Sequence, residues 1–214
     1  MNDVFDPRFD ILPKAQRALW SSLGEVTALD FVLFGGTAIA LQLGHRTSVD
    51  FDFFSRAGLD PVTLPRRLPL IARATTLQAE PNTLTVSAPT EEGPVKLSFF
   101  GGVAFVDAAR ARATRDGILK VAPLNDLMAT KLVVLQKRIE AKDYQDIAAM
   151  LRAGVSLADG LRRAGRMYGS AFQAAESLKA MVYFEGGDLE TLPQGDRTTL
   201  IAASRSLRDF SPDR

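Results

Sequence analysis

Cysteine is absent from the 214 residues, which excludes disulfides, thiol nucleophiles and thiolate metal sites. Histidine occurs once, as His45, so a zinc site built from several imidazoles is excluded within one chain. Metal chemistry here must use oxygen ligands, which suit magnesium, manganese or calcium. Charge of one sign is also lacking: the net charge is +1, and nothing in the average surface points to nucleic acid. Two local basic groups stand out, Arg110 to Lys120 with four basic residues and the trio Arg162, Arg163 and Arg166. They read either as solvated faces or as phosphate contacts, which need only a few local cations. No apolar run approaches the length of a membrane span. Residues Met1 to Asp10 are polar and acidic, unlike the basic-then-apolar order of a secretory signal. A cytoplasmic protein with no membrane partner is expected.

What is present is ordinary globular composition, 46% hydrophobic and 24% charged, in a chain long enough to bury a core without staples. Apolar residues at helical spacing predict a helix over 11–26. Phe31 to Phe34 reads as a buried strand, Thr37 to Leu43 as a short helix closed by Gly44, and Val49 to Phe54 as a second strand. A weak helix is predicted over 61–71, a hairpin from strands 83–88 and 95–100, and further strands over 103–106 and 118–122. The second half reads as helices over 124–139, 143–152, 156–168, 172–184 and 196–207, with a loop over 185–195 and a frayed tail after the last helix. Sheet elements first and helices after predict an α+β protein. Residues 1–122 would form a small mixed-sheet core with an N-terminal helix, and residues 123–214 a helical region completing the cleft.

Chemistry concentrates between Phe31 and Phe54. Asp50 and Asp52 alternate with Phe51 and Phe53. On a strand, residues i and i+2 share a face about 7 Å apart, so the phenylalanines enter the core while the two carboxylates stand together outside it. Like charges held so close favour a hard cation between them, which can in turn bridge to a phosphate. Upstream, Gly35 and Gly36 lie between a buried strand and a helix. Glycine lets backbone approach a ligand closely, the free amides of a helix start attract an anion such as a triphosphate, and Thr37 adds a hydroxyl. Each half alone has a plain structural explanation, a turn or a solvated strand edge; together, in this order, they point to a metal–triphosphate site. Ser48 shares the face of Asp50 and would help orient it. Arg46 is placed to touch the acids or a phosphate, whereas His45 is explained as a cation at a helix C-terminus. On the predicted helix over 124–139, Lys131 and Arg138 fall inside the apolar stripe at about 100° per residue. A structural ion pair, with Asp146 as candidate partner, explains Arg138. The anion for Lys131 would be a ligand or the acidic pair.

This segment resembles the polymerase-beta-like nucleotidyltransferase superfamily, and most closely the AbiEii-like abortive-infection toxin nucleotidyltransferases. The matching residues are Gly35-Gly-Thr-Ala38, Leu43-Gly-His-Arg46 and Ser48-Val-Asp-Phe-Asp-Phe-Phe54. A second match is Ala129-Thr-Lys-Leu132 with Arg138 and Lys142-Asp-Tyr-Gln-Asp146, and a softer one is Leu178 to Phe184. The resemblance covers roughly residues 30 to 185. It implies that Asp50 and Asp52 bind Mg2+ (or Mn2+), that Gly35, Gly36 and Thr37 hold the triphosphate of an NTP substrate, and that Lys131 pairs with a phosphate. Asp143 and Asp146 would organise the helical half. It further implies transfer of an NMP group to an acceptor hydroxyl, on RNA such as tRNA or on protein, by the toxin of a toxin–antitoxin pair with a cognate antitoxin as partner.

One position departs from the pattern. Polymerase-beta-like enzymes carry a third carboxylate on a later strand, and the matching strand 95–100 offers Ser98 there. Either Asp107 or Asp143 moves in, or the substrate's own phosphate helps, or the chain is a catalytically degenerate nucleotide-binding module.

Overall fold

A computed structural model describes residues 3–207. The chain divides into two compact units, 1–123 and 124–214.

The first unit is built on one mixed sheet. Its strands are β1 (Val4–Phe5), β2 (Val32–Phe34), β3 (Asp50–Phe54), β4 (Thr75–Glu80), β5 (Thr83–Ala88), β6 (Val95–Phe100), β7 (Arg112–Thr114) and β8 (Lys120–Val121), in the spatial order β1-β7-β8-β2-β3-β6-β5-β4. The strand bearing Asp50 and Asp52 is therefore internal, antiparallel to β2 and parallel to β6. Among the described residues, helices α1 (Lys14–Leu19), α2 (Gly24–Ala28), α3 (Gly35–Leu43) and α4 (Leu64–Arg67) accompany the sheet. Phe51, Phe53, Leu97, Phe99, Leu84 and Val86 are buried on one sheet face, as the period-2 alternation of β3, β5 and β6 requires.

The expected helix over 11–26 is broken. A 3-10 turn at Trp20–Leu23 separates α1 from α2, which lets Trp20 donate its indole N–H to Asp116 at 2.7 Å. The expected strand over 103–106 is loop, and the expected helix over 61–71 is reduced to α4 and a 3-10 turn at Pro69–Ile71, as Pro65 and Pro69 dictate. Strands β1, β4 and β7 have no counterpart in the apolar pattern. In β4 every residue is exposed, so it carries no alternation to read.

The second unit holds α5 (Leu124–Val134), α6 (Ala141–Arg152), α7 (Leu157–Tyr168), α8 (Ala174–Val182) and α9 (Gln194–Arg205). Helices α5 and α7 pack closely at Gly160, where an added Cβ would lie 2.5 Å from Met128 Cγ. The expected loop over 185–195 ends at 193, since α9 begins at Gln194, and carries a 3-10 turn at Leu189–Thr191. The expected tail beyond Leu207 lies outside the described residues.

Candidate active site

Strand β3 places the acids by burying what lies between them. Phe51 and Phe53 are fully buried, and Phe53 stacks on Phe99 at 5.5 Å. A one-residue slip would put two carboxylates into that aromatic core, so the register is strongly specified. The carboxylates of Asp50 and Asp52 consequently share the opposite face, partly exposed.

Strand β2 leads directly into α3 beside them. Phe34 pairs in register with Asp52, and the next residue, Gly35, has φ +72°. A Cβ at Gly35 would overlap Asp52 Oδ2 and come within 3.3 Å of Asp52 Cβ and Cγ. The absent side chain is what allows the Asp52 carboxylate to sit against the helix start. Phe34, the N-cap residue, contributes no side-chain hydrogen bond to α3, and the first amides of a helix have no intrahelical acceptor. Gly35→Ala is expected to cost about 1–2 kcal/mol for the left-handed backbone alone and to push Asp52 out of place. Denaturant melts and divalent-ion titration of the variant check the two effects separately.

Thr37 and Ser48 differ from expectation. Thr37 Oγ1 lies 2.7 Å from Ser48 Oγ and also within hydrogen-bond reach of the Asp50 carbonyl. A carbonyl only accepts and a hydroxyl has one proton, so Thr37 donates to Asp50 and Ser48 donates to Thr37. Both residues are buried. The Thr37 hydroxyl therefore ties α3 to β3 and is not presented to a phosphate, and Ser48 acts on Thr37 and the backbone of Asp50. Gln16 secures the strand's approach by donating its amide to the Val49 carbonyl. Arg46 donates to the Thr47 carbonyl at 2.9 Å, next to the acidic strand.

The donor set fits a small hard cation. Among the described residues no group of three or more His, Asp or Glu could enclose a metal. Magnesium characteristically takes one or two carboxylates, several waters and substrate phosphates, and Asp50 with Asp52 supplies that minimal protein share.

Strand β6 supplies no acid. Parallel pairing sets Lys96 beside Asp50 and Ser98 beside Asp52, and Lys96 Nζ is 3.5 Å from Asp50 Oδ2. Ser98 is buried. Each substitute suggested by the sequence, Asp107 and Asp143, is engaged with neighbours in its own unit. Asp107 accepts from the Ala109 amide at 3.0 Å and lines a cavity of about 770 Å³ with Ser55, Arg56 and Lys120, past the far end of β3.

Asp143 is engaged inside the helical unit. Lys131 Nζ lies 2.5 Å from Asp143 Oδ1 and 2.6 Å from Asp146 Oδ2, with all three side chains buried. Arg138 forks onto Asp143, Nε to Oδ2 at 2.8 Å and Nη2 to Oδ1 at 3.1 Å. The anion expected for Lys131 was a ligand or the acidic pair of β3; its partners are instead two aspartates one turn apart on α6. Burial raises the Asp143 pKa, but the Arg138 hydrogen bonds and the Lys131 charge outweigh it and leave it below the ordinary carboxylate value. The basic groups are likewise partnered. Arg112 pairs with Asp3, Arg115 with Asp6, Lys120 with Asp30, Arg162 with Asp159 and Arg163 with Asp126, which removes most of the charge that had marked them as phosphate contacts.

Comparison with known proteins bears on the family and the fold. The model of a family described as "Nucleotidyl transferase AbiEii toxin, Type IV TA system" matches residues 22–210. An uncharacterized protein of Aquifex aeolicus (strain VF5) is 29% identical over 181 residues, covering 81% of this chain and 84% of that protein. Among solved structures, MenT4, a nucleotidyltransferase toxin from Mycobacterium tuberculosis H37Rv, superposes with a TM-score of 0.59 at 16% identity, over 90% of this chain and 82% of that one. At that identity the likeness speaks for the fold. Because the family match runs across most of the sequence, through both the glycine turn and the acidic strand, the chain belongs to the AbiEii nucleotidyl transferase toxin family of type IV toxin–antitoxin systems.

Proposed function

We propose that the protein is a metal-dependent nucleotidyltransferase that moves an NMP group from an NTP to a hydroxyl of RNA, with tRNA the first candidate, and that a cognate antitoxin restrains it. The observation that carries this reading is the Asp52 carboxylate packed against the start of α3, with Asp50 beside it. The α3 amides at Gly35, Gly36 and Thr37 hold the triphosphate, and Asp50 and Asp52 hold Mg2+ or Mn2+. The ion supplies Lewis-acid polarisation and charge screening at the phosphoryl oxygens. The acceptor oxygen attacks the α-phosphorus; that P–O bond forms as the bond to the bridging oxygen breaks, pyrophosphate leaves, and the hydroxyl proton passes to solvent. The Thr37 hydroxyl keeps the phosphate turn and the acid strand at fixed spacing. No helix among the described residues is long and apolar enough to cross a membrane, and the reading places the protein in the cytoplasm, where NTPs and RNA occur.

Incubation with Mg2+, each α-labelled NTP in turn and total RNA tests it. Label on RNA is expected. Label on protein would move the acceptor to protein. Divalent-dependent NTP binding without label on either would favour a degenerate nucleotide-binding module, the reading that Ser98 beside Asp52 supports.

A further inference from the structure

The sheet face that carries the acids also carries phenylalanines. Alternation puts Phe54 on the face of Asp50 and Asp52. Parallel register sets Phe100 beside Phe54, as it sets Ser98 beside Asp52. Phe34 stacks on Phe54 with ring centroids 4.8 Å apart, and Phe100 meets Phe54 edge-on at 5.0 Å. Phe105, from the loop after β6, lies 6.0 Å from Phe34 and 6.5 Å from Phe54. On the opposite face Phe51, Phe53 and Phe99 are fully buried. Phe54, Phe100 and Phe105 stay partly exposed. The group is an aromatic shelf one residue pair, about 7 Å, along the strands from the row of Asp52, and a ribose has the length to join a hydroxyl at one row to a base at the next.

The shelf runs on into the cavity past the end of β3. Arg56 lies two residues beyond Phe54 and Val106 directly follows Phe105, and both line that cavity. Its acids are engaged, Asp30 by Lys120 and Asp107 by the Ala109 amide, while Arg56 is exposed. An NTP ends at its base, whereas a polynucleotide continues from each base to a further phosphate. Stacking rings followed by cations hold single strands with little regard to sequence, because every base has a π-face.

Resting on the function proposed above, we propose that Phe54, Phe100 and Phe105 stack the terminal base of the acceptor RNA strand and that Arg56 meets the phosphate behind it. The terminal hydroxyl is thereby brought to the acid pair.

Fluorescence anisotropy with two short labelled single-stranded RNAs tests this without reference to turnover. The RNAs are identical except that the 3′-terminal residue carries adenine in one and is abasic in the other. The wild type should bind the adenine-ended RNA about tenfold more tightly. Phe100→Leu and, on the loop, Phe105→Leu should remove most of that preference and leave Mg2+-dependent NTP binding unchanged. Arg56→Gln should keep the preference, weaken both RNAs and lower the salt dependence of binding. Leucine keeps apolar bulk at partly exposed positions, so these variants are expected to fold, and thermal melts check each; the comparison on the wild type needs no variant. Equal wild-type affinity for the two RNAs, or binding of neither, would overturn the shelf. Lost NTP binding in the phenylalanine variants with the RNA preference intact would give the shelf to the NTP base and overturn its assignment to the acceptor. Unchanged salt dependence in Arg56→Gln would overturn the phosphate contact. Base preference without nucleotidyl transfer would keep the shelf and remove the proposed activity, and transfer to RNA without base preference would do the reverse.

Discussion

Asp50→Asn is expected to lower nucleotidyl transfer by roughly 10²–10³-fold, the scale seen when one electrostatic stabiliser of a reacting centre is removed, while the protein stays folded. Asparagine keeps the shape of the side chain and loses the charge that a cation needs. Its folding cost is small because the partner lost is Lys96, and both side chains are well exposed. Exposed pairs of this kind contribute about 0–1 kcal/mol after solvent screening. Asp52→Asn should fall as far in activity, since the two carboxylates act as a unit on one face of β3. Transfer rates and thermal melts on the same preparations make the check. A variant with wild-type melting and wild-type transfer would remove the acidic pair from the chemistry.

Lys131→Met is expected to have the opposite signature, a large loss of stability. Asp143 and Asp146 are fully buried, and the Lys131 ammonium lies within 2.6 Å of both. Removing it leaves buried carboxylates under-compensated, at a cost of about 3–5 kcal/mol. For a unit of this size the melting point should fall by more than about 10 °C. Adding Asp143→Asn and Asp146→Asn should restore much of it, because the charges that Lys131 compensates are then gone. Normal melting with lost transfer would instead assign the Lys131 charge to the substrate. The cluster also sets acid sensitivity. The Asp143 pKa is lowered in the folded chain, so its stabilisation is complete above the unfolded value of about 3.9 and is lost as pH falls through the folded value. Arg138→Ala should shrink that loss, measured as stability between pH 5 and acid.

Sequence pattern read the glycine turn and the acidic strand well because both are local. Gly35, Gly36, Asp50 and Asp52 follow from period-2 burial and a glycine turn within one short stretch. What escaped the pattern depended on distant pairing. Lys96 escaped because only the parallel register of β3 with β6 puts it beside Asp50. The Thr37 hydroxyl looked free because its acceptor is a backbone carbonyl, which a side-chain pattern does not record. Lys131 was matched to a ligand or the acidic pair because its two aspartates sit on another helix. The exposed β4 and the short β1 and β7 escaped because they bury too little apolar surface to leave a period.

The spacing of these contacts along the chain also implies an order of assembly. Phe34 and Asp52 meet across a short loop, whereas Asp50 and Lys96 close a much longer one. Short loops close at a smaller entropy cost and therefore earlier. The two acids are thus brought together while the cation that will face one of them is still elsewhere on the chain. During that interval the repulsion between them is met only by water and whatever ions the solvent holds, so the ionic composition of the medium enters the folding of this protein as well as its chemistry.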